Sequence, residues 1–538
     1  MLKKFILLGI LFIFNKENVF SQEKSGKYLV QFKDKANSSF SINKPEEFLS
    51  KRAIDRRIKQ NIKITTHDLP PNKNYINELE KAGAKVWYKS RWYNGALIIA
   101  DSAIAKNISA LPFVKGFENN GPLNLDGGGS LRKQSKLETT LDSINYGNGA
   151  TQAKMLGTHH LQNAGYKGKG LMIGVLDDGF NKVDSDIYLK PLFIEKRVVS
   201  TFDFVRNTPN VYDIGGHGNL VLSTMAANID GAFVGTAPEA SYVLLRTEDA
   251  PTEKIIEEAN WLFAAEYADS VGVDIINSSL GYFDFDYSPY THAKSDLNGD
   301  KILATKAADW AAQAGILVVV SAGNAGNGGI GAPADADSVL SIGSVDRNKI
   351  KSGFSSIGPT ADGRIKPDLS AMGSSSAVSA VNSLNNTQLF TASGTSFSGP
   401  IFAGFAACFW QMNPNLKVME LHAELKKLGN QADKPDNLLG WGVPEFGKVV
   451  ILGEEQLLEA KIQILPNPVT DYFKILIQES DKNRTFSVSI KDITGKNIYF
   501  GKGHKSGENI NFANFPQGIY IGELQLATKT IPFKFLKN

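Results

Sequence analysis

Four polar side chains in short glycine-containing segments form a set that could carry out acyl transfer. Asp177 supplies a carboxylate and His217 an imidazole, while Asn324 supplies a side-chain amide and Ser396 a hydroxyl. A serine hydroxyl becomes an effective nucleophile when an imidazole takes its proton, and a carboxylate fixes the tautomer of that imidazole. The Asn324 amide and the Ser396 backbone N–H could each stabilise an oxyanion by about 3 kcal/mol. These residue types therefore predict acyl transfer to a serine.

The segments around these residues resemble the subtilisin-like serine peptidases, whose triad runs Asp, His, Ser along the chain. Asp177 lies in a D-x-G turn, His217 in an H-G pair and Ser396 in a G-T-S-x-S-x-P motif. Asn324 ends an A-G-N motif, where this family has its oxyanion asparagine. The resemblance covers roughly residues 144 to 450, and G-T-S-x-S-x-P is its most specific part. It implies that these four residues are catalytic.

A further segment is similar to the edge on which this family binds its substrates. Ser279, Leu280 and Gly281 form an S-L-G sequence directly after an apolar run. A peptide could add there as a strand, so that backbone pairing accepts many sequences and side-chain pockets choose among them. The resemblance therefore implies protein or peptide substrates and makes these three residues the predicted substrate-binding residues.

Two residues beside the triad depart from the family pattern. Asp178 stands where the family normally has a small or hydroxylated residue, and Asn219 stands where a threonine commonly follows H-G. A second carboxylate next to Asp177 favours the protonated imidazole if it points inward and has no effect if it faces solvent. These departures, with an appended β domain, leave an alternative open: a catalytically silent surface binding or adhesion protein that keeps the fold.

The elements that must position these residues alternate between strands and helices. Short, β-branched, nearly continuous apolar runs between helical segments indicate an α/β fold with a parallel sheet covered by helices on both faces. Active residues of such sheets lie at the carboxyl ends of the strands. Asp177 and Asn324 each follow such a run. The predicted strands span 171–177, 241–246, 273–278, 316–321 and 339–345, and predicted helices span 252–270 and 302–315.

Residues 22–120 form a separate predicted unit with the element order β-α-β-β-α-β, a split ferredoxin-like arrangement. By position and strand order it resembles the propeptide of subtilisin-like enzymes, which implies help in folding, inhibition of the active site and later removal. A permanently attached accessory domain is the alternative. The basic run from Lys51 to Arg57 is interpreted as the solvated face of a first helix at 48–60. Residues 121–143 are a predicted linker in which cleavage would fall.

The remaining segments predict export. Residues 1–21 have a charged start followed by a short apolar run, which indicates a secretory signal peptide. After the predicted peptidase domain at 144–452, residues 460–538 show the period-two pattern of a small all-β sandwich. That region resembles the C-terminal sorting domain of type IX secretion substrates through its P-N-P start, D-x-x-G-K turn and G-I-Y strand. The resemblance implies the type IX secretion machinery as a partner and a secreted or cell-surface protein; an ordinary binding β-sandwich is the alternative.

Composition excludes several other classes. With 58 Lys and Arg against 55 Asp and Glu, the net charge of +3 gives no broad basic field for nucleic acid. After the signal peptide, the sequence has no stretch as long as a membrane span, so no integral membrane segment is expected. A single cysteine, Cys408, excludes an internal disulfide.

The predicted chemistry requires no cofactor. Residues 296–300 resemble the start of a calcium loop, but the twelfth position is Ala307 and the bidentate carboxylate is absent. A solvated turn is therefore favoured, and no metal ligands are predicted, although structural calcium stays open.

Overall fold

The computed structural model describes residues 25–126, 147–447, 462–477, 485–492, 496–526 and 530–537. The predicted signal peptide at 1–21 lies outside these residues, as does most of the predicted linker at 121–143. None of the described helices combines the length and the hydropathy needed to cross a membrane.

The elements of the N-terminal unit are β1 (Gly26–Phe32), α1 (Lys51–Lys59), α2 (Lys73–Lys81), β2 (Lys85–Ser90), β3 (Gly95–Ala100), α3 (Ser102–Ser109) and β4 (Val114–Phe117). Its strands form an antiparallel sheet of order β2-β3-β1-β4, the predicted ferredoxin-like arrangement. Two helices, α1 and α2, lie between β1 and β2 in the sequence. Of the two, only α2 covers the sheet, since its residues Ile76 and Leu79 are buried in the core of this unit. The predicted helix at 48–60 is present as α1, but it lies against the central unit, which comprises residues 147–447, and not on the sheet of the N-terminal unit.

Alternate residues of the N-terminal sheet belong to two different cores. Val30 of β1 and Ile98 of β3 pack in the core that includes α2 and α3. Leu29 and Leu97, one residue away, belong to an apolar core of the central unit. Since successive side chains of a strand point to opposite faces, the second face of this sheet lies against the central unit.

The elements of the central unit are α4 (Ala150–Met155), α5 (Thr158–Asn163), β5 (Met172–Asp177), α6 (Lys190–Ile194), β6 (Val198–Asp203), α7 (His217–Ala226), β7 (Asn228–Ile229), β8 (Phe233–Val234), β9 (Ser241–Arg246), α8 (Ile256–Val271), β10 (Ile275–Ser278), α9 (Leu303–Gln313), β11 (Leu317–Ser321), β12 (Leu340–Val345), β13 (Leu369–Met372), β14 (Ser376–Val381), β15 (Thr387–Ala392), α10 (Thr395–Met412) and α11 (Val418–Lys427). Seven of these strands form a parallel sheet of order β13-β12-β11-β10-β5-β9-β6. The five predicted strands form its middle, while the edge strands β6 and β13 were not predicted, because β6 is mostly half-exposed and β13 has only four residues.

Helices cover both faces of this sheet, as predicted. Ile173 and Val175 of β5 join the core formed with α7 and α10. Leu176, on the opposite face of the same strand, joins the core formed with α8 and α9. The sheet is therefore buried on both sides, which explains the near-continuous apolar strands.

Helix α1 lies against the central unit, and the interpretation of its basic run as a solvated face is wrong. Arg56 and Arg57 are only 5% and 3% exposed. Both side chains form ion pairs with Asp269 in the last turn of α8, and Arg91 joins them at 3.0 Å. The Asp269 carboxylate lies more than 200 residues from Arg56 and Arg57 along the chain. A charge run on its own cannot indicate such a partner.

The C-terminal unit is a small all-β sandwich, as predicted. Its strands are β16 (Ile462–Leu465), β17 (Tyr472–Ile477), β18 (Phe486–Asp492), β19 (Asn497–His504), β20 (Asn509–Asn511), β21 (Gly518–Gln525) and β22 (Thr530–Lys537). They form two antiparallel sheets of order β16-β17-β20 and β19-β18-β21-β22, which share one core that includes Phe473, Val488 and Phe535.

Candidate active site

A carboxylate and an imidazole meet at the carboxyl end of the central sheet. Asp177 is the last residue of β5, and His217 is the first residue of α7. His217 Nδ1 lies 2.7 Å from Asp177 Oδ1, with Asp177 fully buried and the His217 side chain 34% exposed. The same Asp177 oxygen accepts the Asp178 backbone N–H at 2.9 Å, which fixes the carboxylate. Because Asp177 engages Nδ1, any proton exchange with a nucleophile has to use Nε2.

Ser396 lies in the first turn of α10, a helix that the apolar residues after it bury against the sheet. Its backbone carbonyl accepts a hydrogen bond from the Ser279 hydroxyl at 3.0 Å, and its own hydroxyl donates to the Ser279 carbonyl at 3.4 Å. The ring of the next residue, Phe397, lies 5.9 Å from the His217 ring. The first turns of α10 and α7 therefore bring the hydroxyl and the imidazole to the same end of the sheet.

Two N–H donors converge in front of the Ser396 segment. The Asn324 side-chain oxygen accepts hydrogen bonds from the Thr395 backbone N–H at 2.9 Å and the Thr395 hydroxyl at 3.0 Å, which orients its amide. A Cβ added to Gly394 would lie 3.7 Å from Asn324 Nδ2 and 3.7 Å from the Ser396 backbone N. Gly394 thus keeps open a space that both donors border, at the start of a helix, where N–H groups favour an anion.

The three predicted substrate-binding residues run directly past the serine. Ser279 contacts Ser396 as described, Leu280 is 6% exposed, and Gly281 is exposed. The chain then pairs with a second segment, since Tyr282 and Ala332 exchange backbone hydrogen bonds of 2.8 and 3.0 Å. The exposed backbone at Gly281 is the kind of edge to which an extended peptide can add.

The C-terminal end of the N-terminal unit contacts the central unit at residues that precede and follow the Ser279–Gly281 segment in the chain. Leu123 is 1% exposed and belongs to the same apolar core as Leu280. The Tyr290 hydroxyl donates to the Pro122 carbonyl at 3.1 Å, and Asp126 forms a 2.7 Å ion pair with Lys254. The segment that leads out of the N-terminal unit is therefore held against the central unit.

Asp178 and Asn219, the two departures from the family pattern, take different roles. One Asp178 oxygen accepts the backbone N–H groups of Gly216, His217 and Gly218 at 3.2, 3.1 and 3.3 Å. Burial and the neighbouring Asp177 raise the pKa of Asp178, while His217 and the N–H donors oppose this rise. Asn219 is 2% exposed and donates from its amide to the Asn181 carbonyl.

Arg246 is a functional-site residue that sequence reasoning missed. It ends β9, pairs in register with Asp177, and is 1% exposed. Its Nε donates to the Asp178 carbonyl at 2.9 Å, and its Nη1 donates to Asp203 at 3.0 Å. The signal in the sequence that could have identified Arg246 is its position as a charged residue at the end of a largely apolar strand.

Within the described residues, one group of carboxylates outside the triad is close enough to hold a cation. Ligand atoms of Glu248, Glu253 and Glu257 lie within 4.8 Å of one another. The segment that resembles a calcium loop is organised differently. Asp296 pairs with Lys301 at 2.5 Å and accepts the Ala293 N–H at 3.1 Å.

Comparison with family models assigns each of the three units. Residues 168–442 match the model of the Subtilase family, and residues 27–138 match that of the Peptidase S8 propeptide domain of Bacteroidota. Residues 463–538 match the Secretion system C-terminal sorting domain.

Two individual relatives, both serine proteases by name or family, agree with this assignment. The chain is 33% identical to Serine protease AprX of Bacillus subtilis (strain 168) over 304 residues, which cover 51% of this chain and 65% of AprX. It is 30% identical to Subtilisin DY of Bacillus licheniformis over 271 residues, which cover 49% of this chain and 85% of that protein. A solved structure of proteases from Pseudoalteromonas arctica PAMC 21717 aligns with a TM-score of 0.43 at 19% identity, over 56% of this chain and 97% of that chain. Since the Subtilase model spans half of the chain and includes every predicted triad residue, the chain belongs to the subtilase family of serine endopeptidases.

Proposed function

We propose that this protein hydrolyses peptide bonds in protein or peptide substrates through Asp177, His217 and Ser396. The observation that supports the proposal best is the 2.7 Å contact between His217 and a fully buried Asp177, at the same end of the sheet as the first turn of α10. Because Asp177 has no contact with solvent, its carboxylate remains paired with His217 and fixes the tautomer of the imidazole.

In the proposed reaction, Ser396 Oγ attacks the substrate carbonyl while His217 Nε2 takes the hydroxyl proton. The charge on the carbonyl oxygen is stabilised by Asn324 Nδ2 and the Ser396 N–H, which border the space beside Gly394. His217 then gives the proton to the leaving amine, and an acyl-enzyme remains on Ser396. Water attacks this ester with His217 as the base, which releases the acid and restores the hydroxyl. These steps use no cofactor.

The flanking units define where the reaction takes place. The C-terminal sorting domain directs the chain to type IX secretion, and hence to the cell surface or the outside. We further propose that a signal peptide at 1–21 is removed first, and that the unit at 22–120 is released by a cut in 121–143. The contacts of Pro122 with Tyr290 and of Asp126 with Lys254, which hold the exit segment against the central unit, support inhibition by this unit until then.

Labelling with a fluorophosphonate distinguishes this proposal from a silent binding or adhesion protein. After removal of the N-terminal unit, the probe is expected to modify Ser396 in the wild-type chain and to leave Ser396→Ala unmodified. If the wild-type chain stays unlabelled while it remains folded by circular dichroism, the binding protein is the better description. Cleavage of a peptide library by the labelled form would then give the side-chain preference.

Removal of the Asn324 amide is expected to slow catalysis without weakening substrate binding. Asn324→Ala should lower kcat by about 10²- to 10³-fold and leave KM nearly unchanged, because the lost donor acts on the oxyanion and not on the bound substrate. Steady-state hydrolysis of a peptide amide measures both constants. A rise in KM at unchanged kcat would show that Asn324 binds substrate and does not stabilise the oxyanion.

A further inference from the structure

We propose that Asp178 is a positioning residue for His217, which holds the first turn of α7 through its carboxylate and favours the protonated imidazole through its charge. This inference rests on the proposed function, because it concerns the base of that reaction.

The hydrogen bonds of Asp178 supply the first part of the argument. The N–H groups at the start of a helix have no partner within the helix. One Asp178 oxygen accepts three consecutive N–H groups, those of residues 216, 217 and 218, at 3.1 to 3.3 Å. The carboxylate comes from the loop after β5, so it joins the backbone of His217 to the strand that ends at Asp177.

The glycines around His217 make this external support necessary. Gly215 has a φ of 69°, and a Cβ there would lie 2.7 Å from Asp178 Oδ1. A Cβ on Gly218 would lie 2.3 Å from the Gly179 carbonyl oxygen. These glycines allow the loop and the helix start to approach closely, but they contribute no side chain that could fix the backbone. Asp178 supplies the missing contact.

The charges near the imidazole supply the second part. Asp177 and Asp178 face His217 from the end of β5. From β9, Arg246 donates to the backbone carbonyl of Asp178 and not to its carboxylate. The Arg246 guanidinium pairs with Asp203 at 3.0 Å and with Asp249 at 3.1 Å. Arg246 therefore has carboxylate partners of its own and leaves the Asp178 charge to act on His217.

The protonation states of Asp178 and His217 are coupled through this charge. His217 is among the groups that lower the pKa of Asp178 against the effect of its burial. Such coupling is reciprocal, so the Asp178 charge must favour the imidazolium by the same amount. Loss of that charge would let His217 give up its proton at lower pH. The acid limb of the pH profile of kcat/KM should therefore move to lower pH.

Two substitutions separate the charge from the hydrogen bonds. Asp178→Asn keeps an oxygen that can accept the three N–H groups but has no charge. We expect its acid limb to move down by about one pH unit, with the plateau of kcat/KM nearly unchanged. Asp178→Ala loses both contributions. Its acid limb should move by the same amount, and its plateau kcat should fall by about 10- to 100-fold, because the base is no longer held in place.

The control is Asp184→Asn, which removes an exposed carboxylate nearby in the chain and should leave the profile unmoved. A profile of Asp178→Asn that coincides with that of Asp184→Asn would overturn the role of the charge. A plateau kcat of Asp178→Ala equal to that of the wild type would overturn the positioning role. If Asp178→Ala fails to fold, the acid limb of Asp178→Asn still decides the role of the charge, and Asp178→Leu, which keeps a side chain of similar size but cannot accept a hydrogen bond, replaces the alanine variant in the plateau comparison. These outcomes differ from a failure of the proposed function, because in that case the fluorophosphonate would not label even the wild-type chain.

Discussion

Replacing either His217 or Ser396 with alanine is expected to lower kcat by about 10⁶-fold, and replacing both is expected to lower it no further. The hydroxyl is ineffective without a base, and the base has no nucleophile to activate without the hydroxyl. The second substitution therefore removes a group that the first has already made useless. The residual rate should come from the donors beside Gly394 and from substrate binding.

This experiment requires that all variants lose the N-terminal unit in the same way. A site for a sequence-specific protease inserted between residues 127 and 146 allows an external enzyme to make the cut in every chain. Hydrolysis of a peptide amide is then compared with Ser185→Ala, which changes an exposed serine and should be fully active. Losses that multiply in the double variant would show that the two residues do not act as a unit.

Replacing Asp269 with alanine is expected to release the N-terminal unit from the peptidase. The guanidinium groups of Arg56, Arg57 and Arg91 converge on this one carboxylate. Burial raises the pKa of Asp269, but the three arginines outweigh this effect and hold the pKa below its ordinary value. Without Asp269, three buried cations lose their common partner, which costs about 3 to 5 kcal/mol of docking free energy. Binding of the N-terminal unit after cleavage should weaken by about 10²- to 4 × 10³-fold.

The inhibition constant of the cleaved N-terminal unit, measured by dilution of the cut chain, tests this expectation. Asp55→Ala is the matched control, because it also removes one carboxylate from an ion pair, with Lys51, but Asp55 is 54% exposed. An exposed pair of this kind contributes at most about 1 kcal/mol. Equal inhibition constants for the two variants would contradict the central role of Asp269.

The contrast between Asp177 and Arg56 shows how far the sequence could predict the structure. Asp177 follows an apolar strand and lies in a short turn, so its position at the edge of the sheet follows from local pattern and topology. Arg56 lies on a helix whose local pattern is that of a solvated surface, and its burial depends on Asp269. Nothing within the helix distinguishes a charge that faces water from one that meets a distant carboxylate.

The same limit applies to the helices of the N-terminal unit and to Asp178. Both α1 and α2 lie between β1 and β2, and only tertiary packing selects α2 as the helix that covers the sheet. For Asp178, the sequence posed two alternatives, an inward or a solvent-facing carboxylate. Asp178 points inward because its carboxylate accepts the three N–H groups at the start of α7. This could not be predicted from the sequence, since the N–H groups reach Asp178 only when α7 packs beside β5.

The C-terminal part of α8 carries Glu266 and, in its last turn, Asp269, close to the end of the helix where the backbone dipole disfavours negative charge. Like charges spaced three residues apart on a helix also repel each other. While the N-terminal unit is docked, its arginines compensate both effects. Once it departs, the compensation goes with it, so backbone amide protons in this turn should exchange with deuterated solvent faster in the mature peptidase than in the intact chain.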